Sequence, residues 1–168
     1  MISNPAAGWT ILKMPMNMSG IRLLIPLIFQ KSKSPVLASE VLKEKHGICF
    51  AKSHLLAALL RCQKIPSGFC YQRLILDDVH YPYLVLHGLN GVYIQEFNQW
   101  IRLDARGNEE GGNAQFSLNH EQLAFPVRKE LGEENIPIIF ANPIDSVINA
   151  LTSYKNRDEV WKNFPFNI

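Results

Sequence analysis

The sequence predicts an α+β fold in which helices come first and an antiparallel sheet follows. Three observations carry this expectation. Apolar residues recur at helical spacing between Ala51 and Cys62, period-two runs begin at Phe69, and no alternation of strand and helix units follows them. The 168 residues, 47% of them hydrophobic, suit a single domain that can bury its own core.

Residues 1–35 show no sustained period and read as an irregular N-terminal segment, with a short buried stretch near Ile21 to Phe29; residues 36–168 form the domain proper. The Ile21 to Phe29 run carries Arg22 and Pro26 and falls far below the ~20 residues a spanning helix needs, so no membrane association is expected. Ser39 caps a first short helix that runs to Lys45 and stops at Lys45-His46-Gly47. The second helix carries Ala51, Leu55, Ala58, Leu59 and Cys62 as a core stripe, turns Lys52, Arg61 and Lys64 outward, and ends before Pro66.

Phe69 to Leu76 alternates as a strand closed by Asp77-Asp78, which point to opposite faces and form a solvated turn instead of a carboxylate pair. Tyr83 to Ile94 reads as one long strand paired with Gln99 to Leu103 across Gln95-Glu96-Phe97-Asn98. Asn90-Gly91 alone would place a hairpin turn earlier, but that would leave the polar cluster Glu96 to Gln99 unexplained. Arg106 to Asn113 is loop by composition, and Asp145 starts a last helix with Val147, Ile148, Leu151 and Tyr154 on one face.

Seventeen Lys and Arg against 15 Asp and Glu, scattered along the chain, lack the concentrated basic face of a nucleic-acid binder. Three cysteines cannot all pair and have no two-residue metal or redox spacing, which favours a reducing compartment, here expected to be the cytoplasm, or a working thiol. No set of four zinc ligands is present, and no cofactor is expected.

Cys49 follows Gly47 and opens the second helix, where unpaired N–H groups and the helix dipole favour thiolate over thiol. Such a nucleophile needs a base and a group that orients the base. His87 and Asp104 lie in consecutive strands that can set them side by side. His54 projects away from Cys49 around the helix, His46 belongs at a rim, and His80 and His120 have no paired acid. Cys62 and Cys70 read as small core hydrophobes.

Gly47-Ile48-Cys49-Phe50-Ala51, the following Leu55 to Arg61 stretch and Ile65-Pro66 resemble the nucleophile segment of the transglutaminase-like superfamily. His87 to Tyr93 resembles its histidine strand, and Trp100 to Asn108 its aspartate strand, so the resemblance covers about Ala38 to Phe125. It implies a papain-like core with Cys49 as nucleophile, His87 as base and Asp104 as orienting acid. Phe50 stands where many crosslinking members have Trp, and Gly88-Leu89 replace a small residue and Trp. The implied function is cysteine-dependent acyl transfer on an amide of a protein or peptide, by hydrolysis or by crosslinking. The alternative is a non-catalytic protein- or peptide-binding domain on the same scaffold. Nothing in the sequence sets the oligomeric state.

Overall fold

A computed structural model describes residues 9–10, 25–26, 35–109, 112–154 and 156–168. The expected irregular segment 1–35 therefore lies almost wholly outside the described residues; within it Trp9–Thr10 pairs antiparallel with Ile25–Pro26. Helices α1 (Ala38–Glu44) and α2 (Cys49–Cys62) precede strands β1 (Ser67–Asp77), β2 (Tyr81–Ile94) and β3 (Gln99–Leu103). A short strand β4 (Glu134–Asn135) and helices α3 (Asp145–Ser153) and α4 (Arg157–Lys162) follow. One four-stranded antiparallel sheet runs in the order β3-β2-β1-β4, so the α+β expectation of helices against an antiparallel sheet holds. Among the described residues no helix is long and apolar enough to cross a membrane.

Helix α1 begins one residue before Ser39, with Leu37 as its N-cap. The carboxylate of Glu40 reaches back to accept the N–H groups of Val36 and Leu37, both at 3.2 Å. Lys45, at φ 57°, closes the helix in the left-handed region, and its N–H bonds the Val41 carbonyl.

Helix α2 departs from the expected single stripe. Ala51 and Leu55 pack on Val41 of α1, Phe50 and Ala57 pack on Tyr71 and Leu86 in the middle of the sheet, and Leu56 and Leu60 meet Val92 and Leu103 at its β3 side. A helix covered on three sides has little outer face left, so Lys52 is buried instead of outward and Cys62, at the open end, is exposed instead of core. Full burial of a side chain such as Phe50 or Leu60 contributes about 1.5–3 kcal/mol.

The long β2 strand forms as expected. Asn90 and Gly91 pair with Leu103 and Arg102 on one side and with Phe69 and Gly68 on the other, so no turn occurs there. The buried Asn90 amide donates to the carbonyls of Ser53 in α2 (3.0 Å) and Gly68 in β1 (3.2 Å), tying helix to sheet. Asp77 closes the β1–β2 hairpin by accepting the N–H groups of Val79 (2.9 Å) and His80 (2.6 Å).

The chain after residue 113 wraps the outer strand and then returns to the hairpin. Phe140 exchanges two backbone hydrogen bonds with Phe69, each 2.8 Å, and the Pro165 carbonyl accepts the Leu86 N–H at 2.7 Å. Arg73 donates to the Phe166 carbonyl at 3.0 Å, fixing the last residues across β1 and β2.

Candidate active site

Cys49 is the first residue of α2, behind an Ile48 N-cap that makes no side-chain capping bond. The N–H groups of this first turn have no intrahelical acceptor, so the sulfur sits at an electropositive backbone end. Gly47 lets the chain turn into the helix: a Cβ at that position would lie 2.8 Å from the Ala51 Cβ.

The approach of β2 to the helix start depends on Gly88. A Cβ there would stand 2.6 Å from the Phe50 ring and 3.5 Å from the Phe50 Cα, so only glycine lets strand and helix come this close. That proximity brings the Gly88 backbone and the His87 ring near enough to the sulfur to act on its titration.

His87 Nε2 bonds Asp104 Oδ2 at 2.8 Å, leaving Nδ1 as the ring nitrogen that can face the sulfur. The two side chains are only 6% and 0% exposed. Asp104 is held in turn by the N–H groups of Arg106 (2.9 Å, to Oδ1) and Ala124 (3.2 Å, to Oδ2). The edge-to-face ring of Phe125 lies 5.3 Å from the imidazole, and Arg106 lies over that same ring at 4.8 Å.

Burial alone would push the Cys49 thiol up. The hydrogen bond and positive charge of His87, the Gly88 backbone and Arg106 outweigh it and hold the thiol below its ordinary value. Burial also disfavours a charged His87, but the Asp104 carboxylate and the Cys49 sulfur raise it to about 10. Asp104, despite its burial, stays below the usual carboxylate range through His87 and the two backbone donors. The three shifts share one cause: each group favours the charged form of its neighbour. Cys70 provides the contrast, since burial pushes its thiol up to about 11 and the nearby Arg102 charge only partly offsets this.

The structure therefore brings together Cys49, His87 and Asp104, the three residues singled out from the sequence. It leaves the other histidines outside the group. His54 Nδ1 bonds the Val36 carbonyl at 2.8 Å, His46 is buried against Glu44 at 2.9 Å instead of lying at a rim, and His80 pairs with Asp77 at 3.3 Å, an acid the sequence did not lead one to expect. Among the described residues no three His, Cys, Asp or Glu side chains gather in a way that could hold a metal ion.

A cleft of about 670 Å³ opens at Cys49 and His87. Phe125, Trp161 and Phe164 line it as well; they come from an irregular stretch and from the short C-terminal helix region, where no periodic pattern in the sequence marks them.

Comparison with known proteins adds one finding. Residues 27–105 match the sequence model of the transglutaminase-like superfamily, a stretch that includes Cys49, His87 and Asp104. No curated protein and no solved structure shows significant similarity to the chain.

Proposed function

Taking as premise the transglutaminase-like core carried by residues 27–105, we propose that the protein is a papain-like, cysteine-dependent acyl-transfer enzyme acting on amide bonds of proteins or peptides. The observation that supports this most is the linked geometry at the helix start: a sulfur beside His87, and His87 bonded to the buried Asp104 at 2.8 Å. A structural ion pair would not need its sulfur at the mouth of a cleft, yet Cys49 lines one.

In this reading the Cys49 thiolate adds to an amide carbonyl, and the N–H groups at the start of α2 hold the oxygen that becomes negative. The His87 imidazolium gives its proton to the departing amine as the C–N bond breaks, leaving a thioester on Cys49. His87, now neutral, takes a proton from the incoming water or amine, which attacks the thioester and restores the thiolate. Asp104 fixes the tautomer and orientation of His87 and stabilises its charged form. Water as acceptor makes the reaction hydrolysis, which we favour; an amine would make it crosslinking.

Alkylation by iodoacetamide below pH 7 tests the proposal. The unaltered protein should show a fast labelling phase that Cys49→Ser abolishes, with Cys70 labelling slowly in both. Equal labelling of the two proteins would remove the nucleophile and leave a non-catalytic binding domain.

A further inference from the structure

The cleft at Cys49 has a definite chemical character beyond the reacting groups. Moving along the hairpin from His87, the strand register sets Val85 opposite Leu74, then brings Leu76, then Asp77. Leu74 and Val85 are almost wholly buried beneath the cleft, and Trp161 and Phe164 line it as well.

The aromatic wall is fixed in place. Phe164 packs on Phe50 with ring centroids 5.6 Å apart, and Trp161 meets Phe164 edge-on at 6.2 Å. The backbone around them is tied to β2, with Tyr83 donating to the Trp161 carbonyl at 3.4 Å and Leu86 to the Pro165 carbonyl at 2.7 Å. Beyond Leu76 the charged groups largely satisfy one another: Arg128 pairs with Asp78 at 2.7 Å and with Glu133 at 2.6 Å.

A tetrahedral adduct on Cys49 has four substituents. Sulfur occupies one, the helix N-terminus takes the oxygen, and the leaving nitrogen must face His87. The acyl group is left with the wall of Leu74, Val85, Trp161 and Phe164. We infer that the protein selects amides whose acyl side carries an aliphatic or aromatic side chain, with Trp161 and Phe164 as specificity-determining residues. This rests on Cys49 attacking the carbonyl. A glutamine or glutamate side chain set against the carbon surfaces of Leu74, Val85 and Phe164 would give up its water for apolar contact, which disfavours it.

Acetyl-aminoacyl chloromethyl ketones carrying Leu, Phe, Gln, Glu or Lys read the preference directly, because each delivers only an acyl side to Cys49. Labelling rates are expressed relative to iodoacetamide on the same protein, which separates the cleft from the reactivity of the sulfur. The Leu and Phe reagents should exceed the other three by about tenfold or more, and Trp161→Ala should bring the Phe-to-Gln ratio down towards one. A flat ranking, a polar preference, or a ratio unmoved in Trp161→Ala would overturn the inference. Slow iodoacetamide labelling of Cys49 would instead count against the nucleophile, while the ranking would still report on the wall.

Discussion

At the scale of single residues, the chemistry rests on charges that are cheap only together. His87 is raised from 6.5 to about 10, so its contribution to stability is complete below pH 6.5 and disappears as pH rises through about 10. Cys49 is lowered from 9.0, so its contribution is present above pH 9.0 and disappears as pH falls through the lowered value. Wherever both are charged between pH 6.5 and 9.0, the folded pair holds as many protons as the unfolded one, so the two pH dependences oppose each other. Cys49→Ser removes the compensating half. Urea denaturation of that variant should show stability falling as pH rises above 6.5, by up to about 1.4 kcal/mol per pH unit; a flat profile would show that Asp104 alone does not hold His87 charged. Cys49 was legible in the sequence because a local feature, the start of a helix, marks it. His87 and Asp104 were legible less directly, since their pairing at 2.8 Å depends on the adjacency of two strands. Phe125 was not legible at all, because its contact with His87 is made from a loop.

At the scale of elements, the site depends on how closely β2 can lie against α2. Gly88→Ala puts a methyl group 2.6 Å from the Phe50 ring, which is itself packed between Tyr71 and Phe164 and has little room to yield. Overpacking of this kind costs about 1–3 kcal/mol. Urea denaturation should show that loss, and slower alkylation of Cys49 should accompany it; adding Phe50→Leu should recover part of both. Full stability and unchanged alkylation in the single variant would mean the contact is looser than described. The helices and long strands were readable because their periods are strong and uninterrupted, and the Asn90-Gly91 pair was correctly kept inside a strand. The α2 stripe was misjudged because a helix enclosed on three sides has no polar face for periodicity to reveal. Strand β4 and helix α4 are two and six residues long, too short to leave a pattern.

At the scale of the whole molecule, an ion cluster fastens the 126–133 loop to the hairpin. Glu133 has a side chain only 2% exposed. Its burial would push its carboxyl up, but Arg128 and the Ile75 N–H hold it below the ordinary carboxylate value. A depressed carboxyl contributes stability that is present above its unfolded pKa and lost as pH falls through the folded one, so Glu133 and Asp104 both place their losses in acid. Glu133→Gln should cost about 1.5–3 kcal/mol at neutral pH and make acid unfolding less steep, read by circular dichroism between pH 6 and 2. An unchanged acid transition would show that the cluster contributes little. The α+β architecture was visible from element order alone, whereas the return of the C-terminal stretch across the hairpin is a long-range event with no local signature.

The placement of the cationic groups around Cys49 also orders events in time. The sulfur is held below its ordinary value by His87, Gly88 and Arg106, all of which follow it in the chain by dozens of residues. A growing polypeptide that has exposed Cys49 but not yet closed β2 and β3 around it lacks those groups, and its thiol is slower towards electrophiles and neighbouring disulfides than in the finished fold. If Cys49 is the nucleophile proposed above, the groups that lower its thiol beyond what the helix start supplies are assembled only when the sheet closes.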